Sequence, residues 1–425
     1  FQRSRQHRKA VAYLLAAAER SLESFATESS SRYLEEGLGR VAELPEVERP
    51  TWRARLRARK GELLERLARH DEARIELEAA LTEMTSDPLA EARTWRLLGQ
   101  THRLQAPRRG LSTSRPSFAD FEAAHNSYDR AEEALGRLPV DTESRRAWID
   151  VQKERAYALY FGGRGRELPA HNEMVRPVVE ANGTAAQRVD HLLGQMLSGF
   201  VRDRFVVSPK DVATARQALA LAEGGADPGR IAEAKFVLGF ALLWSDQVEE
   251  AADVLARAVD ETHRLGAVME ENRGRAYFAI ALRRSGRVDD AEAAALSSLE
   301  LAARLNDSYY TGHARAVLCW VDWCRGKETC TALGEDAYAA WGVLEDRGHS
   351  GLECEFAWLA AWPLAAVAMS QGDHQSALRH LGYLRVPWER PLPPDLAEVV
   401  ELAFATGDES SVERSLQLAR AYRFL

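Results

Sequence analysis

The chain has 425 residues, of which 46% are apolar, 28% charged and 8% aromatic, with a formal net charge of −8. That mix is globular rather than low-complexity, and the negative balance argues against nucleic-acid binding by the chain as a whole. The longest apolar run, Phe356 to Met369, is shorter than the roughly 20 residues a membrane helix needs, and four cysteines make no disulfide framework, which points to a reducing cytoplasm. Residue 1 is Phe, not Met, and no secretory signal opens the chain, so the expectation is a segment of a longer cytoplasmic protein.

Taken in chain order, the elements read as helix from end to end. Ala, Leu, Glu and Arg dominate, all strong helix formers, and period-two alternation is almost absent. A first hairpin is expected over Tyr13 to Leu44, closed by Pro45. The next is anchored at Gly61, with Leu64, Ala73, Leu77 and Ala80 at offsets of three, twelve, sixteen and nineteen. Around Gly99 the first helix reads Trp95-x-x-Leu98-Gly99, and its second helix carries Ala124, Tyr128 and Ala131. That second helix is displaced by residues 105–117, read as a flexible insertion rich in Arg, Ser, Thr and Pro. Residues 144–210 depart from the pattern. It returns in full at Gly239, with Leu242, Ala251, Leu255 and Ala258 at the same offsets as after Gly61. Weaker copies run Ala279, Leu282, Ala291, Ala295 and Ala365, Ala368, Ala377, Leu381, with a second divergent stretch at 308–346 and Val412 in the final Ala position. Turns such as Ser285-Gly286-Arg287 and Gln371-Gly372-Asp373 split the helices into pairs. About ten hairpins of roughly 35–43 residues are expected in one array over 1–425.

The spacing resembles the tetratricopeptide (TPR) pattern: a small residue in the first helix, an Ala in the second, and large residues between them. The small pair sits where two helices cross, and only small side chains allow that approach. The long repeat is similar to the TPR-like superhelices attached to bacterial STAND-class signalling ATPases, large LuxR-type regulators and some multidomain adenylate cyclases. Tyr13 to Pro45 resembles the first hairpin after the ATPase module in those proteins. The resemblance implies an all-α, right-handed superhelical solenoid of antiparallel helical hairpins, acting as the sensor or effector arm of a signalling regulator.

Motifs for chemistry are missing. There is no G-x-x-x-x-G-K-[ST] loop; the nearest string, Arg325-Gly326-Lys327-Glu328, lacks the upstream Gly and the hydroxyl. Gly162-Gly163-Arg164-Gly165 follows no strand and reads as a helix–helix turn. His313, Cys319, Cys324 and Cys330 are close in sequence, but Cys319 and Cys324 diverge around a helix, so buried structural thiols are expected rather than a metal ligand set. No catalytic constellation, cofactor site or metal site is read, and the chain is expected not to be an enzyme.

In such a superhelix the first helix of each hairpin lines the concave groove. Positions pointing away from the buried stripe are Arg55, Ala58, Glu62 and Arg66 around Gly61, and Arg93, Arg96, Gln100 and Arg103 around Gly99. Around Gly239 they are Glu233, Phe236, Phe240 and Trp244, and around Ala365 they include Leu359, Trp362, Ala366 and Met369. The groove therefore reads as basic in its first part and aromatic later. The candidate partner-binding residues are Arg93, Arg96, Arg103, Phe236, Phe240, Trp244 and Trp362. A protein or peptide with acidic and apolar residues fits both parts. The alternative is that these aromatics pack inside a tightly wound superhelix. A small-molecule inducer is the second functional reading, from Trp320, Trp323, Trp341, Trp358 and Trp362. The basic strings 3–9 and 49–60 read as solvated faces answered by Glu, with nucleic-acid contact the less favoured use. Pro363 either kinks a helix or opens one.

Overall fold

The computed structural model describes all residues except 1, 25, 85–86, 111–117, 226, 343–355 and 386–388. Among the described residues there are twenty α-helices and no strand. They divide into two compact units, one built mainly from residues up to Gln195 and one mainly from Met196 onward, with the short stretch His263–Val268 grouped with the first and the end of the fifth helix, residues 107–110, with the second.

The first unit contains α1 (Gln2–Glu23), α2 (Thr27–Arg40), α3 (Arg49–Arg66), α4 (His70–Glu83), α5 (Pro88–Gly110), α6 (Phe118–Leu135), α7 (Thr142–Phe161), α8 (Leu168–Asn182) and the start of α9 (Ala185–Arg202). The second contains the end of α9, α10 (Pro209–Gly225), α11 (Pro228–Trp244), most of α12 (Val248–Leu265), α13 (Val268–Arg284), α14 (Val288–Arg304), α15 (Ser308–Cys324), α16 (Thr329–Ala340), α17 (Trp358–Ser370), α18 (His374–Gly382), α19 (Pro394–Thr406) and α20 (Glu409–Ala421). Read in pairs, each odd-numbered helix is the first of a hairpin and each even-numbered helix the second.

Local chemistry explains where helices start and stop. Asp227 accepts the Arg230 backbone N–H at 3.2 Å ahead of Pro228, so α11 has both a side-chain cap and a proline in its first turn. Asp141, Asp307, Asp373 and Asp408 cap α7, α15, α18 and α20 in the same way. Gly286, Gly326 and Gly372 turn the chain between paired helices with φ of 72°, 64° and 74°, in the left-handed region that favours glycine. The string Arg325-Gly326-Lys327-Glu328 is thus a hairpin turn. Gly163, at φ 74°, turns the chain after α7. Pro363 lies inside α17, not at its start.

The recurring small residues are the helix crossings. A Cβ on Gly61 would come within 2.6 Å of Leu77, sixteen residues on, and one on Gly239 within 2.7 Å of Leu255, also sixteen on. Gly99 meets Tyr128 in the same relation, shifted by the longer connection. Ala73, Ala80, Ala124, Ala131, Ala251, Ala258, Ala291, Ala295 and Ala377 are all fully or almost fully buried. The fold is an all-α, TPR-like solenoid of helical hairpins. Residues 105–110 continue α5; the rest of the expected insertion, 111–117, lies outside the described residues. The divergent stretch 144–210 is also helical, as α7 to the start of α10, and 308–342 forms α15, α16 and a turn.

Candidate functional site

In the first unit, one helix of each hairpin contributes to a continuous row of charges. Glu19 of α1 holds Arg59 of α3 at 2.9 Å, and Arg59 also reaches Glu62 at 2.8 Å, which in turn binds Arg66 at 2.9 Å. Glu65 of α3 accepts from Gln100 of α5 at 3.2 Å, and Gln100 accepts from Arg96 at 3.4 Å. Arg96 and Arg103 of α5 both approach Glu154 of α7, at 3.9 and 3.3 Å. Lys153 then links α7 to Asp190 of α9 at 3.7 Å. The row thus crosses α1, α3, α5, α7 and α9.

The electrostatics follow from burial. Burial alone would raise the Glu62 pKa, but Arg59 and Arg66 outweigh it and hold the carboxyl below its usual range. The same holds for Glu154, where Lys153, Arg103 and Arg96 overcome a nearly complete loss of solvent. Arg103 is itself buried, and Glu154 holds its pKa above the ordinary value against that burial. Its guanidinium also lies 5.2 Å from the Tyr157 ring.

Arg96 and Arg103 therefore meet in one row, whereas exposed Arg93 turns to Glu143 at 3.3 Å. The row is not the basic surface expected from the sequence, because each cation has a carboxylate close by, on its own helix for Arg66 and on a neighbouring first helix for Arg59, Arg96, Arg103 and Lys153. The basic string 49–60 behaves likewise: Arg53 meets Glu83 at 2.9 Å, and Lys60 meets Glu76 at 2.8 Å. In the string 3–9, Arg8 meets Glu48 at 2.8 Å.

The second unit carries rings on the corresponding helices. Phe200 of α9 stands 4.9 Å from Phe240 of α11, Phe240 stands 4.8 Å from Tyr277 of α13, and Tyr277 stands 5.7 Å from His313 of α15. Phe236 is covered by the Arg273 guanidinium at 4.0 Å. Phe356, just before α17, fills the face that these helices would otherwise leave open. It stacks on Trp244 at 4.9 Å with the planes 8° apart, and touches Phe205, Tyr277 and His313 as well.

Phe236, Phe240, Trp244 and Trp362 are consequently 7%, 5%, 1% and 0% exposed. They do not line an open groove, and the expectation of an aromatic contact surface is corrected: the rings satisfy one another and are core. Trp358 and Trp362 belong to the same interior, with α17 buried on all sides.

Two structural features of the site region were missed by sequence reasoning. One is the set of answering carboxylates, Glu154 above all. The other is a group of buried arginines. Arg283 donates to the carbonyls of Leu359 at 2.5 Å, Phe424 at 2.8 Å and Ala316 at 3.4 Å, tying α13 to α15, α17 and the segment after α20. Burial pulls its pKa down to about 9. Arg284 and Arg390 both donate to the last carbonyls of α11, at Leu243 (2.9 Å) and Trp244 (3.3 Å). Cys319 and Cys330 are buried with their sulfurs 3.5 Å apart, while Cys324 is exposed.

No protein-family model matches the chain, and no curated protein does. Among solved structures, the chain is similar to a Rap protein complexed with competence and sporulation factor, at 15% identity and a TM-score of 0.54, over 88% of this chain and 97% of that one. It is also similar to a signal transduction ATPase with numerous domains and a tetratricopeptide repeat sensor from Pyrococcus horikoshii, at 13% identity and a TM-score of 0.46, over 76% of this chain and 45% of that one. Aspartyl phosphate phosphatase F from Bacillus subtilis matches at 10% identity and a TM-score of 0.49, over 90% and 96%. The likeness to the Rap protein is one of fold. Among the described residues no helix is long and apolar enough to cross a membrane.

Proposed function

We propose that the chain is a non-enzymatic scaffold for a protein or peptide partner, and that the partner lies along the charged row of the first unit. The wider role we propose is the sensor or effector arm of a cytoplasmic bacterial signalling regulator. The observation that carries the reading is the row itself. It crosses five successive first helices, it holds alternating charges in place through neighbours on the same or an adjacent first helix, and Arg59, Arg66 and Arg96 keep 32%, 32% and 23% of their side-chain surface in water. Groups held this way are already ordered, so a partner loses little of its affinity to ordering them. An extended peptide with its own carboxylates and guanidinium groups can exchange ion pairs along the row while its backbone bonds Gln100. In the second unit, Phe200, Phe240, Tyr277 and His313 on first helices instead carry rings packed on one another, with Phe356 against Tyr277 and His313. The Rap protein of similar fold was solved in complex with competence and sporulation factor, which supports a binding role for this fold.

The test is a selection of displayed peptides on the purified chain, followed by anisotropy titration of the best binder. Glu62→Gln with Arg96→Gln is expected to weaken that peptide at least tenfold while helicity is kept. Unchanged affinity in that variant would overturn the placement.

A further inference from the structure

The second unit has a cleft of about 560 Å³ beside the end of α11 and the start of α12. Arg390 lines it, with Pro391, Leu392 and Pro393 along one side and Val206 at the mouth. Arg390 is 8% exposed. Its Nε donates to the Phe205 carbonyl and one terminal nitrogen to the Trp244 carbonyl, both at 3.3 Å, and its guanidinium lies 5.5 Å from the Trp244 ring and 5.8 Å from that of Phe424. Among the described residues no carboxylate forms an ion pair with it, and none accepts a hydrogen bond from its second terminal nitrogen.

The other charges at the cleft are already matched. Arg284 binds Asp246 at 2.7 Å, and Arg423 binds Glu249 at 2.8 Å. Glu389 is 1% exposed, accepts the Trp358 backbone N–H at 3.4 Å and does not line the cleft. After this pairing the Arg390 guanidinium is left, largely desolvated, with only the longer-range attraction of Asp246 and Glu389 and with donors to spare. Ring faces and helix-end carbonyls offset the cost of burying it only in part. Burial pulls its pKa down to about 10, chiefly by loss of solvent, so it stays charged at neutral pH. The volume is in the range that holds a small organic ligand, and proline, leucine and aromatic walls suit an apolar body.

We propose that this cleft binds a small organic anion, a carboxylate or phosphate monoester carrying an apolar body, with its charged end on Arg390. The bound anion would complete the guanidinium's hydrogen bonds in the fork geometry it offers, and its body would rest on Pro391 and Leu392. Because Arg390 also caps α11, the ligand would tighten the link between α11 and the segment leading into α19. This goes beyond the peptide-binding reading and rests on the second unit alone.

The test uses fluorine NMR with 4-fluorobenzoate and 4-fluorophenyl phosphate as the two anions and 4-fluorobenzamide as the uncharged control. Saturable binding of at least one anion at millimolar concentration is expected, and which one binds names the acid. The amide should bind at least tenfold more weakly. Arg390→Gln should weaken the anion at least tenfold. Val206→Asp, which places a like charge at the mouth on a half-exposed position and leaves the core alone, should do the same and decides the matter if Arg390→Gln fails to fold. Absence of binding by both anions, equal binding of the amide, or wild-type binding in Val206→Asp would overturn the proposal.

Discussion

Gly239 of α11 lies so close to Leu255 of α12 that a Cβ atom there would stand 2.7 Å from the leucine Cγ. The contact is the physical meaning of the repeat: two helices approach until only hydrogen fits between them. Gly239→Ala must push Leu255 or the α12 backbone aside, and Ala251→Leu overfills a site with no exposure. Each is expected to cost about 1–3 kcal/mol in urea unfolding. Glu249→Ala, at an exposed surface pair with Arg423, should change stability by less than about 0.5 kcal/mol. Equal effects at the three positions would mean the helices cross elsewhere.

Arg103 and Glu154 form a buried pair between α5 and α7. Removing Glu154 strands the Arg103 charge away from water, and removing Arg103 takes from the buried Glu154 the one cation hydrogen-bonded to it, leaving Arg96 and Lys153 farther off. Arg103→Met and Glu154→Leu are each expected to cost about 3 kcal/mol, and the double variant clearly less than their sum. A double-mutant cycle by denaturant unfolding reads the coupling directly; strict additivity would show that the two side chains do not depend on each other.

Arg283 is expected to matter more than any surface arginine. Arg283→Met keeps the packing volume but leaves the Leu359, Phe424 and Ala316 carbonyls without that donor. Stranded buried acceptors of this kind make a loss of about 3 kcal/mol the expected outcome in chemical denaturation. Arg287→Met, whose wild-type side chain meets Asp290 on the surface, is the matched control and should be nearly neutral.

His313 links stability to pH. Burial lowers its pKa to about 4, while its Nδ1–H donates to the Tyr309 carbonyl at 2.8 Å. The unfolded chain takes up this proton near pH 6.5 and the folded chain does not. The stability tied to His313 is therefore complete above pH 6.5 and lost as pH falls from there toward 4, about 1.4 kcal/mol by pH 5.5. His125 and His380 are lowered to about 4 as well, chiefly by burial, so His313→Phe should reduce the acid slope of the unfolding midpoint rather than abolish it. A variant with the wild-type slope would show that His313 is protonated in the folded state.

The helices and their crossings were readable because the information is local. Gly61 and Leu77, or Gly239 and Leu255, are sixteen residues apart, so one window contains both partners. Of the residues expected on the outer side of the first helices, Glu62, Arg66, Arg96, Gln100 and Arg103 join the charged row, whereas Arg55 and Arg93 turn to Asp87 and Glu143 instead. What those faces meet was not readable. The partner of Arg59 is 40 residues back at Glu19, and that of Arg103 is 51 residues on at Glu154. A single-helix window shows Glu62 beside Arg59 and Arg66 but misses Glu19 and Glu154, which is why the row read as basic. Phe236, Phe240 and Trp244 were expected to line a groove, but they are buried among other rings, with Phe356 on Trp244 from more than a hundred residues away, and nothing in their own helix announces it. Arg390 was overlooked because a lone arginine among prolines has no periodic signal.

The most direct measurement is hydrogen–deuterium exchange on the whole chain with and without a peptide selected for binding. Added protection is predicted in α3, α5 and α7, along Arg59, Arg96 and Glu154, with Arg96→Gln erasing it. Protection confined to residues 356–424, with α3, α5 and α7 exchanging as in the free chain, would contradict the account.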